Sequence, residues 1–266
     1  MTYLILMGPS ARGFARRAAA TALATLLFAL APAVSLAAMQ ERPDSAAIEA
    51  LKSDFDAIEK QTLDDPAARI DTFDVGPPAA DEAGRMHQVV RRFMNSILRV
   101  RNAYLAELDT MGWVGILDAD RLKADTDLAD SRRLVEMARA AGVRAERDAL
   151  AAFNGFAALV EAADLRPRTK REIIAGFERS RPGALAEMRA SYALEAQTVD
   201  EFDAMVELLA RTDWDVEDSQ ILFNADADVE AYNAHFTRID ELTRQLEARQ
   251  KANVDRARDR LSSPGL

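Results

Sequence analysis

The chain has 266 residues, of which 49% are apolar and 6% aromatic, and it carries a formal net charge of −10. The apolar content is too high for intrinsic disorder, and a charged composition rich in alanine and leucine favours helix over sheet. The negative charge argues against binding to nucleic-acid phosphates or anionic lipid head groups. The absence of cysteine excludes disulfides, thiolate metal sites and a cysteine nucleophile.

Residues 1–37 have the organisation of a secretory signal peptide. Three arginines precede an uncharged apolar run, Ala18–Ala31, and small residues follow it. The run is short for a bilayer span, which needs about 20 residues. We therefore predict cleavage between Ala37 and Ala38 and a periplasmic or secreted location.

Two points about this leader stay open. The rival interpretation is an uncleaved anchor from Ala18 to Met39, and translation could start at Met7 rather than Met1. No later apolar run is long enough for a span, so we predict no membrane span in the mature chain.

A first helix and an extended linker are predicted next. The helix is capped by Asp44 or Ser45 and ends before Pro66. Its apolar face consists of Ile48, Leu51, Phe55, Ile58 and Thr62. Residues 64–80 contain prolines and a glycine, which indicates an extended linker. Its candidate contacts to the bundle are Ile70, Phe73 and Val75.

Long helices are favoured between residues 79 and 166 because this stretch contains no proline. One helix is predicted to begin at Asp81 and Glu82 and to end at Gly112. Its apolar stripe is Met86, Val90, Phe93, Ile97, Val100, Tyr104, Leu108 and Met111. A short helical turn is predicted from Asp118 to Ala124.

The next helix is predicted to start at Asp127 or Asp130 and to run to Ala163. Its stripe consists mainly of small residues: Ser131, Val135, Ala138, Gly142, Ala145, Ala149, Ala152, Phe156, Leu159 and Ala163. Small residues let two helix backbones approach closely. Glycine costs about 1 kcal/mol of helix propensity relative to alanine, so Gly142 indicates either a packing requirement or a bend.

The region after Pro167 is predicted to contain two helices. A capping box at Thr169–Glu172 opens a short helix to about Arg179, and Pro182 starts another. The second has the stripe Leu185, Met188, Tyr192, Val199, Phe202, Val206 and Leu209. We predict no break at residue 197, although a second capping-box pattern follows it.

A small β-hairpin is predicted between residues 213 and 224, because apolar residues alternate on both sides of Asp218 and Ser219. A last helix follows from Asp226 or Asp228. Its stripe is Val229, Tyr232, Phe236, Ile239, Leu242 and Leu246. Beyond Leu246 the helix is expected to project past the core.

The motifs of metal and nucleotide chemistry are incomplete. The chain has two histidines, His87 and His235, and neither belongs to a Glu-x-x-His motif. Asn224–Asp228 resembles half of a calcium loop, but Val229 replaces its glycine, so we interpret it as a helix cap. No phosphate loop or Gly-x-Ser-x-Gly motif is present. The sequence predicts no metal, no cofactor and no enzymatic activity.

Two tryptophans lie in the irregular segments. Trp113 and Trp214 either close the ends of the bundle or anchor a partner, because tryptophan is enriched both in buried positions and in binding hot spots. With Phe223, they are the candidate interaction residues.

These observations predict an all-α fold, an elongated antiparallel helical bundle with long coiled-coil-like helices and one small β-hairpin. The predicted organisation is a signal peptide (1–37), an N-terminal helix and linker (38–80), a main bundle (81–261) and a disordered tail (262–266).

The predicted function is a non-enzymatic interaction or scaffold element of the cell envelope. It would bind another envelope protein, or itself, through a helix face with an unburied apolar or alanine-rich stripe. The first alternative is a periplasmic carrier or sensor with a cavity for a small apolar ligand, lined by phenylalanine, leucine and methionine. The second is an enzyme with a concave cluster of acids of raised pKa.

Overall fold

The computed structural model describes residues 3–4, 45–64 and 68–262. They form an all-α bundle with a small antiparallel sheet, which confirms the predicted fold class. The helices are α1 (Ser45–Asp64), α2 (Glu82–Met111), α3 (Ala119–Ala124), α4 (Ala129–Asn154), α5 (Phe156–Ala162), α6 (Pro167–Arg211) and α7 (Asp226–Ser262), and a 3₁₀ turn spans Trp113–Gly115. The strands are β1 (Tyr3–Leu4), β2 (Trp214–Glu217) and β3 (Gln220–Phe223).

Two predictions at the chain ends fall outside this range: the cleavage site at Ala37 and Ala38, and most of the predicted tail, residues 263–266. No helix in the described part of the chain is both long and apolar enough to cross a membrane.

The long helices pack in the order α2, α4, α6 and α7, and α1 packs against both α2 and α7. Neighbouring long helices are antiparallel, because contacts run in opposite directions along them. The pairs are Phe93–Phe153 and Tyr104–Gly142 between α2 and α4, Arg132–Glu207 and Phe153–Phe177 between α4 and α6, and Glu201–His235 and Glu187–Arg249 between α6 and α7.

Both ends of α2 lie where the sequence predicts them. Asp81 is the N-cap, and its Oδ1 accepts a hydrogen bond from the Gly84 amide at 2.6 Å. Gly112 ends the helix with φ 80°, a left-handed conformation that glycine adopts without steric cost.

The start of α4 lies between the two predicted positions, and Asp125 provides most of its cap. The Asp125 carboxylate accepts hydrogen bonds from the amides of Asp130 and Ser131, at 3.2 and 2.7 Å, and from the Ser131 hydroxyl at 2.6 Å. This carboxylate thus satisfies free N–H groups of the first turn.

The prediction of one helix up to Ala163 was wrong. Gly155 separates α4 from α5, and its N–H is shared between the carbonyls of Ala151 and Ala152. A Cβ at this position would lie 3.3 Å from the Ala152 carbonyl oxygen, so glycine suits this tightened turn.

The predicted break at Pro182 was also wrong, because α6 is a single helix of 45 residues that contains this proline. Pro182 and Glu178 are both exposed, so water can solvate the Glu178 carbonyl that the proline leaves without an N–H donor. On the opposite face Phe177 and Ala184 are buried, and this packing maintains the helix. The predicted continuity through residue 197 is confirmed.

The small-residue stripe of α4 lies in the core between α2 and α6, since Ala138, Ala145 and Ala149 are buried. Gly142 belongs to this stripe but is only partly buried. A Cβ at Gly142 would meet Tyr104 Oη at 4.0 Å, an ordinary van der Waals distance. Neither close packing nor a bend therefore requires glycine here.

Substituting Gly142 with alanine is therefore expected to stabilise the protein by up to about 1 kcal/mol, because alanine has the higher helix propensity. Gly84→Ala, on the same bundle, is the matched control. Its Cβ would lie 2.7 Å from Ala79 Cβ, so it should destabilise by about 1–3 kcal/mol. Urea unfolding of both variants measures the difference, and equal effects would contradict this interpretation.

The described part of the predicted linker, residues 68–80, forms neither helix nor strand and lies along α2; it is here called the strap. Ile70 is buried in the core and Phe73 packs against it, as predicted, whereas Val75 is held through its carbonyl, which accepts a hydrogen bond from Gln88.

The last helix departs from the prediction. The segment beyond Leu246 was expected to leave the core, but Gln250, Asn253 and Val254 are buried. Both α6 and α1 pack against α7, and Glu187 of α6 pairs with Arg249 and Arg256 in this segment. The apolar stripe ends at Leu246 in the sequence because polar side chains form much of the buried face of α7 beyond that residue.

The predicted hairpin is confirmed as β2 and β3, joined by Asp218 and Ser219 with φ of 50° and 58°. Two positive φ angles are typical of the tight turns that match strand twist. β1, within the predicted leader, pairs antiparallel with the other edge of β3.

Candidate interaction site at the hairpin end

Surface depressions lie at the end of the bundle that carries the hairpin. We define this hairpin end as residues 111–137 and 209–224. One depression of about 540 Å³ lies between the α3–α4 loop and the end of α6. Another of about 420 Å³ lies between the end of α2 and the start of α4, and a third of about 480 Å³ lies beside β2. All three are open to solvent.

Trp214 lines the first and third depressions. Its indole Nε1 donates a hydrogen bond to the Leu209 carbonyl at 2.8 Å, and the residue is partly exposed. Because the polar atom of the indole is already satisfied within the chain, the ring surface is what Trp214 offers to a partner.

The other two predicted anchors lie inside the protein. Trp113 is 2% exposed and packs edge-on against Phe202 at a centroid distance of 5.1 Å. Phe223 is fully buried against Tyr232. The structure therefore brings only Trp214, of the three, to the surface.

The outer edge of β2 is covered by side chains. The Val216 amide donates to Asp215 Oδ1 at 2.7 Å, and the Val216 carbonyl accepts from Lys123 Nζ at 3.0 Å. Satisfied backbone groups cannot pair with another strand, so this edge is protected from β-augmentation. The hydrogen bond from Lys123 also lowers the pKa of Asp215.

The surface around Trp214 is acidic. Asp213, Asp215 and Glu217 line the depressions beside it. The two cations that line the first depression, Lys123 and Arg132, are paired with Asp215 and Glu207. Exposed charges steer association with partners of opposite sign. The site therefore suits a cationic protein surface.

A buried polar cluster was not predicted from the sequence. Glu195 of α6 is 3% exposed and accepts a hydrogen bond from the Tyr104 hydroxyl of α2. Burial raises the pKa of Glu195 to about 8. The second carboxyl oxygen of Glu195 and the hydroxyl of Tyr192 are buried without a hydrogen-bond partner. In the sequence, the only sign of this cluster is the gap between Tyr192 and Val199 in the apolar stripe of α6, which Glu195 fills.

This cluster differs from the acid cluster that a carboxylate enzyme would need. The carboxyl group of Glu195 is enclosed between helices rather than placed in a concave surface. Its hydrogen-bond partner is a tyrosine, not a second acid.

The two histidines each bond a carboxylate on another helix. His87 Nε2 lies 2.7 Å from Asp54 Oδ2, and His235 Nδ1 lies 2.7 Å from Glu201 Oε2. In the described residues, no group of three or more histidine, aspartate or glutamate side chains is placed to bind a metal.

The interior beside α5 is filled by aromatic rings. The ring centroids of Phe93 and Phe177 each lie 4.7–6.2 Å from those of both Phe153 and Phe156. The rings contact one another, so an apolar ligand could enter this part of the interior only by displacing them.

The chain is an all-α bundle that has surface depressions at its hairpin end. No family model, curated protein or solved structure matches the chain.

Proposed function

We propose that this chain is an exported, non-enzymatic helical-bundle protein of the cell envelope that binds another envelope protein through its hairpin end. The observation that carries the proposal is Trp214, a partly exposed tryptophan that lines two surface depressions. Tryptophan in a depression is typical of binding hot spots. The leader, residues 1–37, supports export.

The hairpin end is a better candidate than a helix face. Among the described residues, the exposed large apolar side chains are Met137, 40% exposed, and Val143, 65% exposed. Both belong to α4, and Met137 also lines the second depression. Two such residues do not form the long apolar stripe that a helix-face interface requires.

Site-specific photo-crosslinking in intact cells tests this proposal. A photoreactive residue at Asp213, which lines two depressions, should give a reproducible adduct. The same residue at Val143 is the matched control on the helix face. Trp214→Ala should weaken the Asp213 adduct at least tenfold, because truncating a hot-spot residue costs about 2 kcal/mol or more.

The outcomes are distinct. An adduct at Val143 alone would favour a helix-face interface over the hairpin end. An Asp213 adduct that survives Trp214→Ala would show that the tryptophan is not the anchor. The absence of adducts at both positions would contradict an interaction role, provided that thermal melts show the variants folded.

A further inference from the structure

The strap is held by side-chain amides of α2. Asn102 accepts a hydrogen bond from the Ile70 amide at 3.1 Å and donates to the Ile70 carbonyl at 2.7 Å. Asn95 does the same with both backbone groups of Phe73, at 2.7 and 2.8 Å. Each asparagine thus pairs with one residue of the strap as a neighbouring β-strand would.

One step further along α2, Gln88 bonds three strap residues rather than one, where Gly76 turns the chain with φ 66° and its amide donates to Asp74 Oδ1. The Oε1 of Gln88 accepts from the Ala79 amide at 3.2 Å, and its Nε2 donates to the carbonyls of Val75 and Pro77. We call Gln88, Asn95 and Asn102 the amide ladder. Arginines complete the contacts by donating to carbonyls: Arg85 to Ala79 and Ala80, Arg91 to Asp74, and Arg101 to Ala68.

The spacing of the ladder matches the geometry of an extended chain. Its members are seven positions apart, which is two helical turns and about 10.5 Å of rise. Three residues of an extended strand cover about 10 Å. This match holds for the antiparallel stretch from Ile70 to Phe73, the two residues that lie opposite Asn102 and Asn95.

Recognition is mainly of the backbone. The strap receives eleven hydrogen bonds from α2 side chains, all to backbone groups. Of its side chains, Ile70 is buried, whereas most others are exposed. The site therefore recognises a backbone that is extended from Ile70 to Phe73, together with one fully buried apolar anchor, Ile70.

The strap is joined to α2 by one tight turn. Gly84 lies against this turn, where a Cβ would come within 2.7 Å of Ala79 Cβ. Freeing the arm formed by α1 and the strap requires both opening this turn and releasing α1 from α2 and α7, and it leaves the long helices α2, α4, α6 and α7 unbroken. A strap from a second copy carries the same backbone groups and the same Ile70, so it fits the vacated ladder without new contacts.

We propose that the amide ladder of α2 is a binding site for an extended polypeptide, and that residues 68–80 of a second copy occupy it in trans when the chain's own strap leaves. This site lies on α2, away from Trp214, and does not depend on the function proposed above. Self-association through the ladder would make two identical bundles exchange their N-terminal arms.

A labelled synthetic peptide of residues 68–80 tests the site on the intact chain by fluorescence anisotropy. The Gly84→Ala variant should bind it at least tenfold more tightly than the unaltered chain, because the added methyl group displaces the resident strap. A peptide N-methylated at Ile70 and Phe73 lacks the two amide donors and should not bind. Asn95→Leu in the Gly84→Ala background should also abolish binding.

The exchange in trans has its own test, since the chain has no cysteine. Thr72→Cys and Arg99→Cys place single thiols on the strap and on the ladder face of α2. A bismaleimide should link the two variants into a heterodimer when they are mixed at high concentration. The double variant is the control and should crosslink within one chain.

Equal binding of the plain and N-methylated peptides, or no binding to folded Gly84→Ala chain, would overturn the ladder as a binding site. Crosslinking of the double variant without any heterodimer, even in the Gly84→Ala background, would overturn exchange between copies. Failure of the double variant to crosslink would refute the strap's position itself. None of these results bears on an adduct at Asp213.

Discussion

Glu195→Gln is expected to remove most of the pH dependence of stability between about pH 5 and pH 8. Burial raises the pKa of Glu195 to about 8, whereas its ordinary value is 4.5. Glutamine has the shape of the protonated acid and can accept the same hydrogen bond from Tyr104. The variant should therefore fold like the native protein at low pH and exceed its stability at high pH.

The direction follows from proton linkage. Between the two pKa values the folded state holds a proton on Glu195 that the unfolded state has released. Stability is therefore fully present below about pH 4.5 and falls as the pH rises towards 8, by roughly 1.4 kcal/mol per unit at most. At pH 8 the native protein should have lost a few kcal/mol of stability that the Glu195→Gln variant retains.

Urea unfolding from pH 5 to pH 9 measures this effect. Glu178→Gln, at an exposed position of the same helix, is the control and should leave the pH profile unchanged, because surface ion pairs contribute little. A native profile that is flat over this range would contradict the raised pKa. A Glu195→Gln profile that keeps the native slope would assign the proton to another group.

Apolar periodicity predicted most of the helices because it reports directly which faces leave water. It placed both ends of α2, where Asp81 and Gly112 also provide local caps. It failed at Pro182, where the local rule for proline was correct but packing of Phe177 and Ala184 outweighed it. Local propensity is a weak signal wherever tertiary contacts oppose it.

Buried polar groups account for two further misses. Gln250 and Asn253 look like a solvent-exposed tail in the sequence, yet both are buried. The regular spacing of Gln88, Asn95 and Asn102 was visible, but only the fold shows that an extended segment lies against it. Polar residues carry no sign of burial in a single sequence, because their partners come from distant segments.

The candidate site was located by sequence only in part. Irregular segments with tryptophan pointed to the region of the hairpin end, since loops carry function more often than helix faces. Whether Trp113 or Trp214 reaches the surface depends on how Phe202 and the hairpin pack, which periodicity does not specify.

Asp54→Ala is expected to destabilise the protein by about 3 kcal/mol and to loosen the whole N-terminal arm. Asp54 is 6% exposed and accepts two hydrogen bonds from Arg91, at 2.7 and 2.8 Å, and one contact from His87 at 2.7 Å. Burial alone would raise the pKa of Asp54, but the hydrogen bonds from Arg91 and His87 outweigh it and lower the pKa. Its contribution should therefore be present at neutral pH and be lost as the pH falls below about 4.

Arg91 transmits this loss to the strap. Its guanidinium also donates to the Asp74 carbonyl at 2.8 Å and lies 5.7 Å from the Phe73 ring centroid. Without Asp54, Arg91 still joins the strap to α2 but no longer joins α1. The arm formed by α1 and the strap should therefore become protease-sensitive before the bundle unfolds. Asp56→Ala, at an exposed position of the same helix, is the control. Equal unfolding energies and equal cleavage rates for the two variants would show that Asp54 does not anchor the arm.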